Sequence, residues 1–233
     1  MGKKVCVIVG VGPGNGAAFA SRFSKEGYHL ALVARSKTFT TELANKLGNA
    51  FAYECDVGHS DSIQNTFNQI QRDLGTIDVI VYNAGSGSWG NIEQIKPAEF
   101  EASWRVNALG LMLVSQCVLS SMKQKAKGQL IVIGATASKR GGIKTAAFAP
   151  AKAAQRSLAE SMAKYLGPMG IHVALVIIDG VVDLPKTREY MPDKPDSFFV
   201  KPDDVADTVF WLTQQAPSTW SFEVEIRPFG EVW

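Results

Sequence analysis

The stretch KVCVIVGVGPGNG (residues 4–16) decides the fold, because an apolar run ends in glycines at every second position. The run predicts a buried strand over 4–10, and residues 15–27 have the apolar spacing of a helix. Glycines between a strand and a helix let the backbone approach a pyrophosphate, which then meets the amides at the helix N-terminus. The pattern therefore predicts a dinucleotide site, and the alternative is a tight turn without a ligand. The predicted contacts are Gly10, Gly12, Gly14, Asn15 and Gly16.

The same alternation of strand and helix continues to the end of the chain. Strands are expected at 4–10, 29–34, 49–57, 77–85, 128–135, 171–180 and 221–226, and helices at 15–27, 36–48, 60–75, 97–124, 145–167 and 201–215. The strands are almost continuously apolar, which is typical of parallel strands covered on both faces. We therefore expect one α/β domain over 1–233, a Rossmann-type doubly wound parallel sheet. Residues 181–200, rich in proline and charge, are expected to form a substrate loop or lid.

Composition excludes several classes of function. The 233 residues carry 24 basic and 22 acidic side chains, a net charge of +2, so neither nucleic acid nor a membrane surface is an expected partner. No apolar stretch approaches the roughly 20 residues that span a bilayer. The three cysteines lack metal or disulfide spacing, which favours buried free thiols in a cytoplasmic protein. The three histidines are isolated, so no metal site is expected.

The end of the second strand indicates which dinucleotide would bind. NAD-binding folds usually carry an acidic residue there for the ribose hydroxyls. This chain has Ala34-Arg35-Ser36 instead, without a carboxylate. Arg35 is suited to a charge-assisted bond with a 2′-phosphate, which predicts NADP(H) as cofactor. The alternative is a solvated surface arginine.

Several motifs in order along the chain resemble those of the short-chain dehydrogenase/reductase family. Gly10-xxx-Gly14-x-Gly16 matches its glycine pattern, and Tyr82-Asn83-Ala84-Gly85 matches its NNAG motif with tyrosine in the first place. Further matches are Asp56 followed by Val57, Asn107 in RVNALG, Lys152 of the YxxxK motif, and Gly180 to Val182 after strand six, where Asp179 replaces a proline. The resemblance covers essentially the whole chain and implies the sheet order 3-2-1-4-5-6-7. It implies cofactor contacts by Arg35, Ser36, Asp56, Val57, Asn83, Ala84, Gly85, Lys152, Gly180 and Val182.

The resemblance also implies hydride transfer between a nicotinamide and a carbonyl or alcohol carbon. In that chemistry a tyrosine is the general acid, a serine polarises the substrate oxygen, a lysine holds the nicotinamide ribose, and an asparagine holds a water. Asn107 and Lys152 match. Phe148 stands at the tyrosine position and Ala135 at the serine position. Thr136 and Ser138 are neighbouring hydroxyls that would serve only after a rearrangement of the loop.

Two hypotheses follow from this mixed set of motifs. The first is an NADP(H)-dependent oxidoreductase acting on a small carbonyl, alcohol or activated alkene with an atypical proton donor. The second is an NADP(H)-binding sensor or assembly protein that has lost turnover. Related proteins pair through their two long helices, so a homodimer or homotetramer is expected. Trp89 and the aromatic residues of 181–200 are candidates for the substrate surface, and Tyr190 is the one candidate replacement acid there.

Overall fold

The computed structural model describes residues 3–230 and places a parallel sheet at the centre of the molecule. Within these residues the sheet has seven strands in the order β3-β2-β1-β4-β5-β6-β9. The strands are β1 (Val5–Val9), β2 (His29–Ala34), β3 (Ala50–Glu54), β4 (Val79–Tyr82), β5 (Gly128–Ala135), β6 (Ile171–Ile178) and β9 (Glu223–Ile226). Two short strands, β7 (Val181–Val182) and β8 (Phe199–Val200), pair separately. The predicted order is confirmed, with β9 as the seventh predicted strand.

Helices cover both faces of the sheet. They are α1 (Asn15–Lys25), α2 (Lys37–Leu47), α3 (Ser60–Leu74), α4 (Pro97–Trp104), α5 (Gly110–Lys125), α6 (Phe148–Leu166), α7 (Pro185–Tyr190) and α8 (Pro202–Gln214). Alternate residues of β1 enter opposite cores. Val7 packs in the core that includes α3, α5 and α6, whereas Ile8 packs in the core that includes α1 and α8. Burial on both faces explains why the strands are apolar throughout.

The predicted helix 97–124 is one helical run with a change of pitch inside it. α4 leads into a π-helical turn, Arg105–Leu109, and α5 continues to Lys125. This run is long and apolar enough to cross a membrane by length and composition alone. Its buried residues include Leu111, Val114 and Val118. They pack in the hydrophobic core on one face of the sheet, as the buried side of a core helix does.

Two other predicted boundaries differ from the structure. The helix predicted over 145–167 begins only at Phe148. Thr145 lies in a turn, where its hydroxyl bonds both the amide and the carbonyl of Gly142, and a threonine that bonds nearby backbone competes with helix formation. Residues 181–200, which were predicted to form a substrate loop or lid, contain β7, α7 and β8. Arg188 fastens this segment by ion pairs to Asp183 and Asp196.

Candidate functional site

Two neighbouring cavities open at the carboxyl ends of β1 and β4, where ligands bind in open α/β sheets. The first, of about 240 Å³, is called the nucleotide cavity. Its wall contains these predicted cofactor residues: Gly10, Gly12, Arg35, Asp56, Val57, Asn83, Ala84 and Gly85. The second, of about 220 Å³, is called the glycine-loop cavity and is lined by Gly10, Gly12, Gly14, Asn15, Gly16, Asn83 and Val182, with Leu184 beside them. Sequence reasoning placed most of these residues together and missed Leu184.

Gly10 is the residue that lets the two strand ends meet. Its backbone has φ +90°, and a Cβ there would lie 2.5 Å from the Cα of Ala84. Asn83 closes the contact, because its Nδ2 donates a hydrogen bond to the Gly10 carbonyl at 2.7 Å. A side chain at position 10 therefore separates β1 from the loop that follows β4.

The N-terminus of α1 lines the glycine-loop cavity, and its Asn15 and Gly16 amides donate to no group of the described residues, whereas the Ala17 amide donates to the Gly12 carbonyl. Gly14 is the N-cap and offers no side-chain cap, and the first turn contains no acidic residue. The Oδ1 atom of Asn15 is buried there and has no hydrogen-bond partner within residues 3–230. An uncapped helix N-terminus with open polar groups fits the pyrophosphate of a dinucleotide.

Arg35 stands at the mouth of the nucleotide cavity with its guanidinium available. It is exposed and forms no hydrogen bond or ion pair with the described residues. Ser36 is engaged as the N-cap of α2, where its hydroxyl accepts from the amide of Thr38 at 3.4 Å. Asp56 is also engaged, since its Oδ1 accepts from the Gly58 amide at 2.9 Å. The free cation and the occupied carboxylate fit a phosphorylated ribose at this end of the cavity.

Lys152 is buried and is not among the residues that line either cavity. Its Nζ donates to the Ile133 carbonyl at 2.9 Å and to the Oε1 atom of Gln155 at 3.0 Å. Burial lowers the pKa of this amine from its ordinary 10.5 to about 7. Two of the three N–H bonds are thus used within the protein. A Cβ built on Gly85 would lie 3.7 Å from this Nζ, which places the amine beside the cavity wall.

Asn107 is fully buried in the π-helical turn. Its Nδ2 donates to the carbonyls of Ser86 at 2.6 Å and Ser103 at 2.8 Å, whereas its Oδ1 has no hydrogen-bond partner among the described residues. Two backbone carbonyls of this turn accept hydrogen bonds from side chains of other elements. Tyr82 donates its hydroxyl proton to the Val106 carbonyl, and Gln155 donates its Nε2 to the Asn107 carbonyl at 3.1 Å. Burial raises the pKa of Tyr82, so its hydroxyl stays a donor.

The substrate side of the site is apolar where the family pattern has an acid. A Cβ built on Gly87 would lie 2.5 Å from the Phe148 ring, so the loop after β4 covers this ring closely. The Trp89 ring lies against the same phenyl ring with centroids 5.4 Å apart, and it is 70% exposed. Backbone bonds between Gly90 and the turn at 144–146 hold the loop in place. Tyr190 lies at the exposed end of α7 and lines neither cavity.

The hydroxyls near Ala135 are already engaged. Thr136 donates its proton to the buried carboxylate of Asp179 at 2.6 Å, and that carboxylate also faces Arg140 and Arg227. Ser138 turns back toward β5, where its Oγ accepts from the Ala135 amide at 3.2 Å. Gly180 follows at the end of β6, packed on Pro228 and Val200 outside the two cavities.

No three histidine, cysteine or carboxylate side chains within residues 3–230 are grouped closely enough to hold a metal ion. Two residues that sequence reasoning missed have recognisable signals. Gln155 follows Lys152 by three positions, so the two share a helix face. Asp179 is a carboxylate directly after an apolar strand, at the edge of the sheet where ligands bind.

The comparisons with known proteins agree with this geometry. A model of the family described as short chain dehydrogenase matches residues 4–194. Over 187 residues the chain is 27% identical to a human 3-oxoacyl-[acyl-carrier-protein] reductase, covering 80% of this chain and 78% of that protein.

Two solved structures superpose on almost the whole chain. One is a metagenomic short-chain oxidoreductase in complex with NADP, with a TM-score of 0.85, 29% identity and 99% of each chain covered. The other is an alcohol dehydrogenase from the archaeon Thermococcus sibiricus complexed with 5-hydroxy-NADP, with a TM-score of 0.85 and 27% identity. It covers 99% of this chain and 98% of that one.

Proposed function

The chain belongs to the short-chain dehydrogenase family, and on that premise we propose that it is an NADP(H)-dependent oxidoreductase. The observation that carries the proposal is the placing of two open groups in neighbouring cavities. Arg35, which has no ion pair with the described residues, lines the nucleotide cavity, and the N-terminus of α1, without a side-chain cap, lines the adjacent glycine-loop cavity. The NADP and 5-hydroxy-NADP complexes of two similar structures support the same cofactor. The substrate would be a small carbonyl, alcohol or activated alkene.

We assign a role in cofactor or substrate binding to each of the following residues. Arg35 binds the 2′-phosphate, and the amides at the start of α1 bind the pyrophosphate. Lys152 offers its remaining N–H to the nicotinamide ribose. When bound, the nicotinamide supplies or accepts the hydride. Phe148 and Trp89 exclude water from the face where the substrate would lie, and proximity of the reactants remains the main source of rate enhancement.

The proton donor is atypical under this proposal. Phe148 has no proton to give, and Thr136 has donated its own to Asp179. The remaining candidate donors are the buried amine of Lys152, alone or through a water held with Asn107, and the Ser138 hydroxyl, which accepts from the Ala135 amide and keeps its own proton. Loss of a positioned general acid costs about 10²–10⁴-fold in rate. A reaction on an already activated double bond would lose least.

A second candidate function is favoured by the closed packing of Gly87 and Trp89 on Phe148. In this alternative the protein binds NADP(H) and serves as a sensor or assembly protein without turnover. The two functions share the cofactor and differ in whether the apolar face admits a hydride acceptor.

The deciding experiment follows NADPH consumption with a panel of carbonyls and activated alkenes, for the native protein and Phe148→Tyr side by side. We expect slow turnover by the native protein and a gain with the tyrosine. Turnover by Phe148→Tyr alone would favour the sensor. Failure of the native protein to bind NADPH in a fluorescence titration would overturn both functions.

We also propose that the protein is a cytoplasmic homodimer or homotetramer that binds neither nucleic acid nor membrane. Phe100 and Trp104 on α4 support an assembly, since they are 45% and 41% exposed and are large apolar side chains. Light scattering on the purified protein, with Trp104→Glu as the interface variant and exposed Gln124→Glu as control, tests the assembly. A monomer for the native protein would contradict it.

A further inference from the structure

The polar interior between α6 and the π-helical turn contains one residue that no family motif assigns. Gln155 is fully buried. Its Oε1 accepts from the Nζ of Lys152 at 3.0 Å, and its Nε2 donates to the Asn107 carbonyl at 3.1 Å. One carboxamide thus joins the lysine to the turn that carries the asparagine. The family resemblance implies a water held by the asparagine; here a side chain also joins the lysine to the turn that carries the asparagine.

Both ends of this carboxamide meet groups that need a partner. The Asn107 carbonyl lies in a π-helical turn, where the helical bonding pattern changes and carbonyls are left open to other donors. The Lys152 amine is desolvated, and a buried ammonium is costly unless it is hydrogen-bonded. A leucine or valine in place of Gln155 would leave the carbonyl and the amine each one bond short.

We propose that Gln155 is a positioning residue that fixes Lys152 between β5 and the π-helical turn and keeps its third N–H directed to the cofactor. The last part of this inference rests on the proposed function. Because a carboxamide is neutral, it holds the amine without an opposite charge, whereas a carboxylate in its place would make an ion pair.

The surroundings of Lys152 contain no competing charge within the part of the chain that the structure describes. β5 presents the Ile133 carbonyl, α6 presents Gln155, the loop after β4 presents Gly85, and Phe148 lies with its ring centroid 6.0 Å from Nζ. Burial alone lowers the lysine pKa. A change at position 155 therefore acts on Lys152 without interference from a neighbouring titrating group.

Two variants test the proposal in opposite directions. Gln155→Glu should shift the titration of Lys152 upward by about 1–3 pH units, because an opposite charge favours the ammonium. Gln155→Met, of similar length and without polar atoms, should shift it downward. The control is Gln124→Glu on the exposed surface of α5, which should leave the titration unchanged. Thermal melting identifies any variant that has lost its fold.

The first readout needs no cofactor: NMR of isotope-labelled lysine side chains follows Lys152 with pH, and Lys152→Met assigns the signal. The second readout is the pH dependence of NADPH affinity, whose midpoint should move in the same directions. Opposite shifts of the lysine titration by the two variants would support the proposal. Loss of stability in both variants with an unmoved titration would overturn it, since Gln155 would then be merely structural.

The two readouts separate this inference from the proposed function. If the lysine titration shifts but no variant and no native protein binds NADPH, Gln155 positions Lys152 and the proposed cofactor is wrong. If NADPH binds and neither the titration nor the affinity midpoint moves, the cofactor stands and the role of Gln155 is wrong.

Discussion

The cofactor half and the substrate half of the site treat their polar groups in opposite ways. In the cofactor half, the described part of the chain offers Arg35 no ion pair and the buried oxygen of Asn15 no donor, and the N-cap of α1 makes no side-chain cap bond. In the substrate half, Thr136 is bonded to Asp179 and Ser138 to the Ala135 amide. Buried polar groups such as the Asn15 oxygen are normally satisfied, so open capacity at the start of α1 is where a ligand is expected. The exposed Arg35 adds a cation to the neighbouring cavity. The comparison supports the proposed nucleotide and the proposed atypical route of the proton.

The largest expected effect falls on the cofactor half. Gly10→Ala should abolish NADPH binding and destabilise the fold by about 2–6 kcal/mol, from the left-handed backbone and the clash with Ala84. Urea unfolding and fluorescence titration measure the two effects. The matched control is Gly167→Ala, because Gly167 lies outside both cavities and a Cβ there meets nothing within 4 Å. Equal behaviour of the two variants would contradict the assigned geometry.

The next effect concerns the buried amine between the halves. The pKa of Lys152 falls from 10.5 to about 7 in the folded protein, so the unfolded chain binds more protons between these values. The contribution of this group to the free energy of unfolding therefore rises with pH between about 7 and 10.5, by up to about 1.4 kcal/mol per pH unit. Below about pH 7 the buried amine carries its charge, and the full cost of burying that charge lowers the free energy of unfolding.

Lys152→Met should remove this pH dependence and stabilise the protein most near neutral and acidic pH. Denaturant unfolding at several pH values, compared with Lys125→Met on the exposed end of α5, checks it. A native protein and a Lys152→Met variant whose unfolding free energies run parallel with pH would show that the amine is not desolvated.

The variant Arg35→Ala tests whether the cofactor half prefers NADPH to NADH. Loss of a charge-assisted bond should weaken NADPH binding by about 10–100-fold and leave NADH binding nearly unchanged. Titration of both nucleotides against the native protein and the variant measures the preference. Equal affinity of the native protein for NADH and NADPH would refute the assignment of the 2′-phosphate to Arg35.

The smallest expected effect lies in the substrate half. Thr136→Val removes a donor from the buried Asp179 carboxylate and should cost about 1–3 kcal/mol of unfolding free energy with no change in NADPH affinity. Thr41→Val on the exposed face of α2 is the control. A loss of NADPH affinity in Thr136→Val would place this hydroxyl in the cofactor half and contradict its assignment to the substrate half.

The sheet and the glycine loop were predictable from the sequence because they depend on local patterns. Short continuous apolar runs indicated the strands, and the glycine spacing after β1 indicated the cavity residues. The exposed Arg35 was predictable for the same reason, since its position follows directly from the end of β2.

Other features depend on contacts between distant residues, and sequence patterns do not carry these. Leu184 reaches Gly14 across 170 positions of chain, and the late start of α6 reflects the bonds of Thr145 with Gly142. The pairing of Thr136 with Asp179 required the ends of β5 and β6 to be adjacent. The motif resemblance identified which catalytic side chains are replaced. It did not identify the hydrogen-bond partners of the hydroxyls that remain nearby.

The π-helical turn at Arg105–Leu109 has an evolutionary consequence. A π turn is equivalent to one extra residue within an α-helix, so an ancestral insertion of a single codon would be enough to produce it. Deleting one residue within the turn would therefore return it to regular α-helix and leave the buried face of α5 toward the core. Each residue rotates an α-helix by about 100°, so the same deletion in α5 after Leu111 would turn Val114 and Val118 away from the core. Selection on the packing of this helix is therefore expected to tolerate the loss of a residue at the turn better than a loss elsewhere in the helix.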